Sequence, residues 1–391
     1  MNIRAPALLL LMLSLLWPCA FPGEGAFPGF LLYALLVVIV LGYLLMMRNL
    51  PCRDTAPVLA PLALFLAVST VSAVSSLHML AALREVALFA LYTMAFYCAL
   101  VLGSKDWCKE RAVKGLVWAA SALSLGAVAR YGFDIFTGHG SPVRAMAWFP
   151  SPNLLGAAIV LLIPLAASGI RKPFPGGVPV ALMSAGLVLT MSRSSLAGIT
   201  AAVLFYYAVM RRNSEKVLLA LSVLLVLFCG ILLLPSSEVQ ERFLNIITYR
   251  WDLYALMRFD AWKSSLSMWL GSPLCGIGPG NFQFEYPRHA LEGPGSYYLF
   301  LPHAHSLALQ LLVETGVLGV LTFAWWAFAV LRRSCRRSPF LFLGLAAYFF
   351  HSLFDYTLWY PPVGFLFFLV AGLAAVAPPH FHRSRSTLHS S

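Results

Sequence analysis

Apolar runs of about 17–25 residues recur along the chain with short polar breaks between them, as helices crossing a bilayer require. They predict spans near 6–22, 28–47, 56–75, 79–102, 115–132, 153–170, 177–191, 194–210, 217–235, 304–330, 339–354 and 362–378. The expected fold is therefore an all-α polytopic membrane protein with about twelve transmembrane helices. The first run, from Ala7, also has the look of a secretory leader. The many later spans and the lack of a convincing cleavage site favour a first transmembrane helix.

The polar breaks supply the orientation. Arg48–Asp54, Lys105–Lys114, Arg171–Lys172, Arg211–Lys216 and Arg332–Arg337 alternate as basic turns on one side. The positive-inside rule makes that side cytoplasmic and puts both termini there. This alternation holds only if 177–210 is split at Ser192-Arg193-Ser194-Ser195, where an arginine flanked by serines is costly at mid-membrane. The remaining loops then face outward, into the periplasm of a bacterium with two membranes.

One outward loop exceeds ordinary length. Residues 236–303 carry Arg242, Arg250, Arg258, Lys263 and Arg288 among many aromatics, and loops of such length are usually functional. Within it, Arg250–Leu270 spaces apolar residues for an amphipathic helix on the outer membrane–water interface. A second outward loop, 133–152, carries Asp134, His139 and Arg144. No internal repeat or soluble domain is evident: 1–378 reads as a single transmembrane domain and 379–391 as a disordered cytoplasmic tail.

Composition narrows the function classes. Of 391 residues, 60% are hydrophobic and only 11% charged, against roughly a quarter charged in soluble domains. A soluble enzyme and a nucleic-acid binder are excluded, and the formal charge of +12 reports topology. The seven cysteines show no metal-like spacing, so neither a disulfide framework nor a zinc site is expected.

Ionisable residues near membrane depth are the candidates for chemistry. Arg144, Arg193, Arg258, His303 and His305 share the outward side, with Glu314 deeper. Several cations and few carboxylates suit an anionic ligand such as a lipid-linked pyrophosphate. Arginine offers phosphate oxygens bidentate bonds and stays charged, while a neutral histidine can take a proton from a hydroxyl. Glu314, about 13 Å below His305 at helical rise, reads as a structural partner for another helix. Gly276-x-Gly278-x-Gly280 lacks the setting of a dinucleotide loop and reads as a turn. Arg84-Glu85 reads as a self-neutralising pair.

Several motifs in order resemble the O-antigen ligase and polymerase superfamily. Pro302-His303-Ala304-His305-Ser306-Leu307-Ala308-Leu309-Gln310-Leu311-Leu312-Val313-Glu314-Thr315-Gly316-Val317-Leu318-Gly319 is similar to its signature, which places the family histidine on His305 and replaces the usual asparagine with Ser306. Pro152-Asn153 with Arg144 upstream and Ser192-Arg193-Ser194-Ser195 resemble further family blocks. So do Arg258-Phe259-Asp260-Ala261-Trp262 with Pro273–Phe282, and His351–Asp355 with Pro361-Pro362. The resemblance spans about 144–362.

The resemblance implies a membrane-embedded, metal-independent, inverting glycosyltransferase without a cofactor. Its donor would be an undecaprenyl-pyrophosphate-linked glycan. Arg193 and Arg258 would hold the pyrophosphate with help from Arg144, and His305 would orient or deprotonate the acceptor hydroxyl. His303, Glu314 and Asn153 would stand behind them. The motifs most resemble the ligases, which join polymer to lipid A–core at the periplasmic face of the inner membrane. A polymerase extending lipid-linked repeats is the nearest alternative. A protein O-oligosaccharyltransferase would carry a further C-terminal region. A lipid-linked glycan transporter would show inverted repeats and broken midplane helices.

Overall fold

The computed structural model describes residues 52–137, 144–168, 173–210, 253–290 and 301–376. Spans expected at 6–22, 28–47 and 217–235, the stretches 236–252 and 291–300, and the tail 379–391 lie outside the described residues. Among those residues the backbone is helical, without strands. In chain order the helices are α1 (Cys52–Val74), α2 (Met79–Gly103), α3 (Asp106–Thr137), α4 (Pro152–Ser168), α5 (Pro173–Leu189), α6 (Arg193–Met210), α7 (Leu253–Gly271), α8 (Phe282–His289), α9 (Leu307–Arg337), α10 (Pro339–Ser352) and α11 (Pro361–Ala375).

Four of these, α1, α2, α3 and α9, are long and apolar enough to cross a membrane. The apolar helices α4, α5, α10 and α11 are shorter. Three of those four are central: most side chains of α4, α10 and α11 are buried, as expected of helices apolar on all faces. Small residues bring their backbones close. A side chain at Gly344 of α10 would strike the Leu161 carbonyl of α4, and one at Gly372 of α11 would strike the Phe96 carbonyl of α2. Aromatic rings fill the remaining volume, with Trp326 stacked on Phe368 at 5.0 Å and Tyr348 on Phe367 at 4.5 Å.

Two expected loops are shorter than their polarity suggests. The basic stretch 105–114 is mostly the first turns of α3, and Asp134 lies in its last turns. No breaker interrupts either stretch, and Glu110 and Lys114 pair at 2.6 Å one turn apart along the helix. The basic residues 332–337 likewise continue α9. These basic stretches still meet at one end of the bundle, where Lys109 Nζ donates to Ser338 Oγ at 3.1 Å and Arg333 donates to the Ala375 carbonyl.

Helix α9 is broken where its sequence reads as one continuous span. Gly316 has φ 65° and ψ −170°, a region essentially restricted to glycine. The break leaves backbone groups without helical partners, and the Pro273–Gly280 loop supplies them. Ile277 and Gly278 N–H donate to the Val313 and Glu314 carbonyls at 2.9 and 3.0 Å. In return, Val317 and Leu318 N–H donate to the Pro273 and Leu274 carbonyls at 3.0 and 3.3 Å. The glycine-rich segment is thus a turn, as expected, moulded onto the kink.

Candidate functional site

The end of the bundle away from Lys109 and Arg333 collects the sequence-derived candidates. Its hub is Asp355, in the loop between α10 and α11. That loop is held from below: Tyr92 Oη donates to the Leu358 carbonyl at 2.9 Å, and Tyr348 Oη bonds Thr357 Oγ1 at 2.8 Å. Asp355 is 4% exposed. Its Oδ1 faces His305 Nδ1 at 3.3 Å and accepts from Tyr356 N–H at 2.9 Å. Its Oδ2 accepts from Asn153 Nδ2 at 2.6 Å. Asn153 Oδ1 in turn accepts from Arg144 Nη2 at 2.7 Å, and Arg144 Nε donates to the Thr190 carbonyl at 2.8 Å. One hydrogen-bonded chain therefore joins His305, Asp355, Asn153, Arg144 and the turn before Arg193, from four separate parts of the sequence.

Burial opposes ionisation of Asp355, but the His305 hydrogen bond and the neighbouring imidazoles of His351 and His303 outweigh it. Its carboxyl is held far below the usual carboxylate range. An ionised Asp355 accepts from His305, so the imidazole carries its proton on Nδ1 and leaves Nε2 bare. His305 also sits at φ 50°, a left-handed backbone position. Ala147 and Met191 share that conformation at the same end, at φ 50° and 47°. Strain of this kind in non-glycine residues clusters at functional sites.

His303 packs edge-on against His305 with ring centroids 4.5 Å apart. Burial, reinforced by His305 and Arg258, lowers its pKa to about 4. Its Nδ1 is buried without a hydrogen-bond partner. The loop bearing both histidines is tied down by Gln310, whose Oε1 accepts from Ala304 N–H at 2.7 Å and whose Nε2 donates to Glu314 Oε1 at 2.8 Å. Glu314 also accepts from Phe282 N–H at 3.3 Å. It is buried below the histidines, where it braces α9 against the glycine loop and α8.

The turn before Arg193 joins the hub through the Thr190 carbonyl. Met191 in left-handed backbone ends α5, and Ser192 caps α6, its Oγ accepting from Ser195 N–H at 3.4 Å. Arg193 is thereby the first residue of α6, exposed at that helix's N-terminus. Arg258 lies on α7, which packs Met257, Ala261 and Met268 against Phe282, Tyr286, Leu301, Ala304 and Val313. A helix thus forms near 250–270, where one was expected, and it lies against the His303–His305 loop. Arg258 Nε is buried without a hydrogen-bond partner, and the arginine's charge reaches His303.

Sequence reasoning placed Asp355 in a motif but gave it no role. A carboxylate four residues after a histidine, within an apolar stretch, was the available signal. Gln310 lies within the Pro302–Gly319 motif, and Thr190 lies in none. Among the described residues, no group of three or more His, Cys, Asp or Glu is placed to hold a metal ion.

Residues 178–324 match the family model described as O-Antigen ligase. The match supports the O-antigen ligase superfamily, a family of glycosyltransferase-like membrane enzymes acting on lipid-linked glycans. It takes in Arg193, Arg258, His303, His305 and Glu314, and leaves Arg144, Asn153 and Asp355 outside. A comparison with curated proteins found no match.

Proposed function

We propose that this chain, supported as a member of the O-antigen ligase superfamily, is the ligase itself. In this reading it transfers a glycan from undecaprenyl pyrophosphate to a hydroxyl of a lipid A–core oligosaccharide at the periplasmic face of the inner membrane. The observation that carries the reading is the His305–Asp355–Asn153–Arg144 chain, which prepares one imidazole as a base.

The acceptor hydroxyl oxygen attacks the anomeric carbon of the donor sugar. The bond from that carbon to the pyrophosphate oxygen breaks, with inversion. His305 Nε2 takes the hydroxyl proton, and Asp355 stabilises the imidazolium that forms. Arg193 and Arg258 bear the charge that develops on the departing pyrophosphate. The N-terminus of α6 adds a favourable dipole beside Arg193. Arg144, whose guanidinium bonds Thr190 and Asn153, positions the hub and the Arg193 turn. Glu314 acts through Gln310 on the histidine loop.

Deleting the gene and separating the lipopolysaccharide on a gel tests the reading. Bare core with polymer stranded on its lipid carrier is expected. Core bearing a single repeat would identify a polymerase, and lipid-linked repeats held on the cytoplasmic face would identify a transporter.

A further inference from the structure

Behind the hub, on the last turn of α10, lies His351, fully buried. Its Nδ1 is 3.1 Å from Ser195 Oγ on the first turn of α6. Ser195 Oγ donates its only proton to Ser192 Oγ at 2.9 Å. Toward His351 it can therefore only accept, which puts the imidazole proton on Nδ1. Nε2 is left as a buried acceptor without a partner, within the fields of Asp355 and Arg258.

The same residue holds the Asp355 loop through its backbone, since the His351 carbonyl accepts from Phe354 N–H at 3.1 Å. Close packing leaves the Arg193 turn little room. A side chain at Gly198 of α6 would collide with the Ala347 carbonyl at 2.6 Å and His351 N at 2.9 Å. One at Gly156 of α4 would collide with Ser195 Oγ. Gly156 lies one turn below Asn153, so Ser195 sits directly under the hub.

We propose that His351 is a positioning residue: its Nδ1–H bond to Ser195 fixes the Arg193 turn against the wall that carries Asp355, setting the donor-holding arginine relative to the base. This rests on the reading of Arg193 as a donor ligand. Misplacement of a reacting group by about 1 Å can cost on the order of a hundredfold in rate.

The test uses the full-length protein in nanodiscs, with lipid-linked glycan as donor and lipid A–core as acceptor. His351→Phe keeps the volume and removes the donor; kcat should fall roughly 30–100-fold. His351→Asn places an amide N–H near the Nδ1 position and should recover most of the loss. His351→Gln places its amide farther out and should not. Ser195→Ala should mimic His351→Phe, and the double variant should be no worse than the poorer single one. In an Arg193→Lys background, His351→Phe should cost no more than about twofold further.

Multiplying losses in either pair, or Asn no better than Phe, would overturn the proposal. Should the Phe variant fail to accumulate, Asn against Gln decides, and equal activities count against it. Near-normal transfer by Arg193→Ala would overturn the donor-site reading and this inference with it. Loss in Arg193→Ala combined with multiplying losses at His351 would overturn only the role of His351.

Discussion

Replacing Asp355 with asparagine keeps the shape of the hub and removes its charge, and the structure says where the damage goes. Oδ1 accepts from Tyr356 N–H and His305 Nδ1, while Oδ2 accepts from Asn153 Nδ2. An amide can leave an oxygen at only one of these positions. With oxygen toward Tyr356 and His305, the new NH2 confronts the Asn153 NH2. Asn153 would have to flip, and its NH2 would then face Arg144. The mismatch travels along the chain and leaves a buried donor unsatisfied, at a cost of about 1–3 kcal/mol.

The lost charge is the larger effect. A carboxylate 3.3 Å from the imidazolium contributes about 5 kcal/mol at an effective dielectric constant near 20. His305 is 22% exposed at its side chain, and solvent screening brings that to roughly 3 kcal/mol. Because each 1.36 kcal/mol is tenfold, kcat should fall on the order of a hundredfold or more. The assay is the initial rate of glycan transfer by purified protein, with a thermal midpoint to confirm folding. A well-folded Asp355→Asn protein within threefold of wild type would refute the reasoning.

Gly316→Ala forces a side chain into a glycine-only conformation and into the Leu274 carbonyl. It should cost about 3 kcal/mol of stability, seen as a lower thermal midpoint; an unchanged midpoint would argue against the clasp between loop and broken helix. Arg258→Lys should transfer poorly although the charge is kept, because a compact ammonium cannot reproduce the planar fork; full activity would argue against pyrophosphate clamping. His303, held neutral with a pKa of about 4, takes up its proton more readily when unfolded, near pH 6.5. Stability from this group is therefore complete above about pH 6.5 and declines by up to about 3 kcal/mol as the pH falls toward 4. Thermal midpoints across that range should fall more steeply in wild type than in His303→Phe, and parallel curves would contradict the assignment. No step is routed through a metal, so transfer should persist in EDTA; loss restored by a divalent ion would contradict the mechanism.

Much of this architecture is legible in local pattern, because apolar runs and polar breaks act over short distances. The break at Ser192-Arg193 could be read from the cost of an arginine in an apolar run, and the structure turns there. The glycine segment read correctly as a turn. The kink at Gly316 could not be read, since it depends on carbonyls and N–H groups of Pro273–Gly278 docking from another part of the chain. Polarity misled at 105–114 and 332–337, where charge indicates exposure and says nothing against a helix. The hub was half legible. His305 and Arg144 are candidates by type and side and Asn153 by resemblance, but the Asn153–Asp355 bond joins residues 202 apart in sequence, a pairing that only folding reveals.

Reconstitution tests the central claim most directly. Purified protein in nanodiscs would be given an undecaprenyl-pyrophosphate-linked glycan and lipid A–core, and the glycosylated core followed on a gel. The account predicts glycan on the core, with release of undecaprenyl pyrophosphate, and none with His305→Ala. Elongation of the lipid-linked chain with the core left bare, or undiminished transfer by His305→Ala, would contradict it.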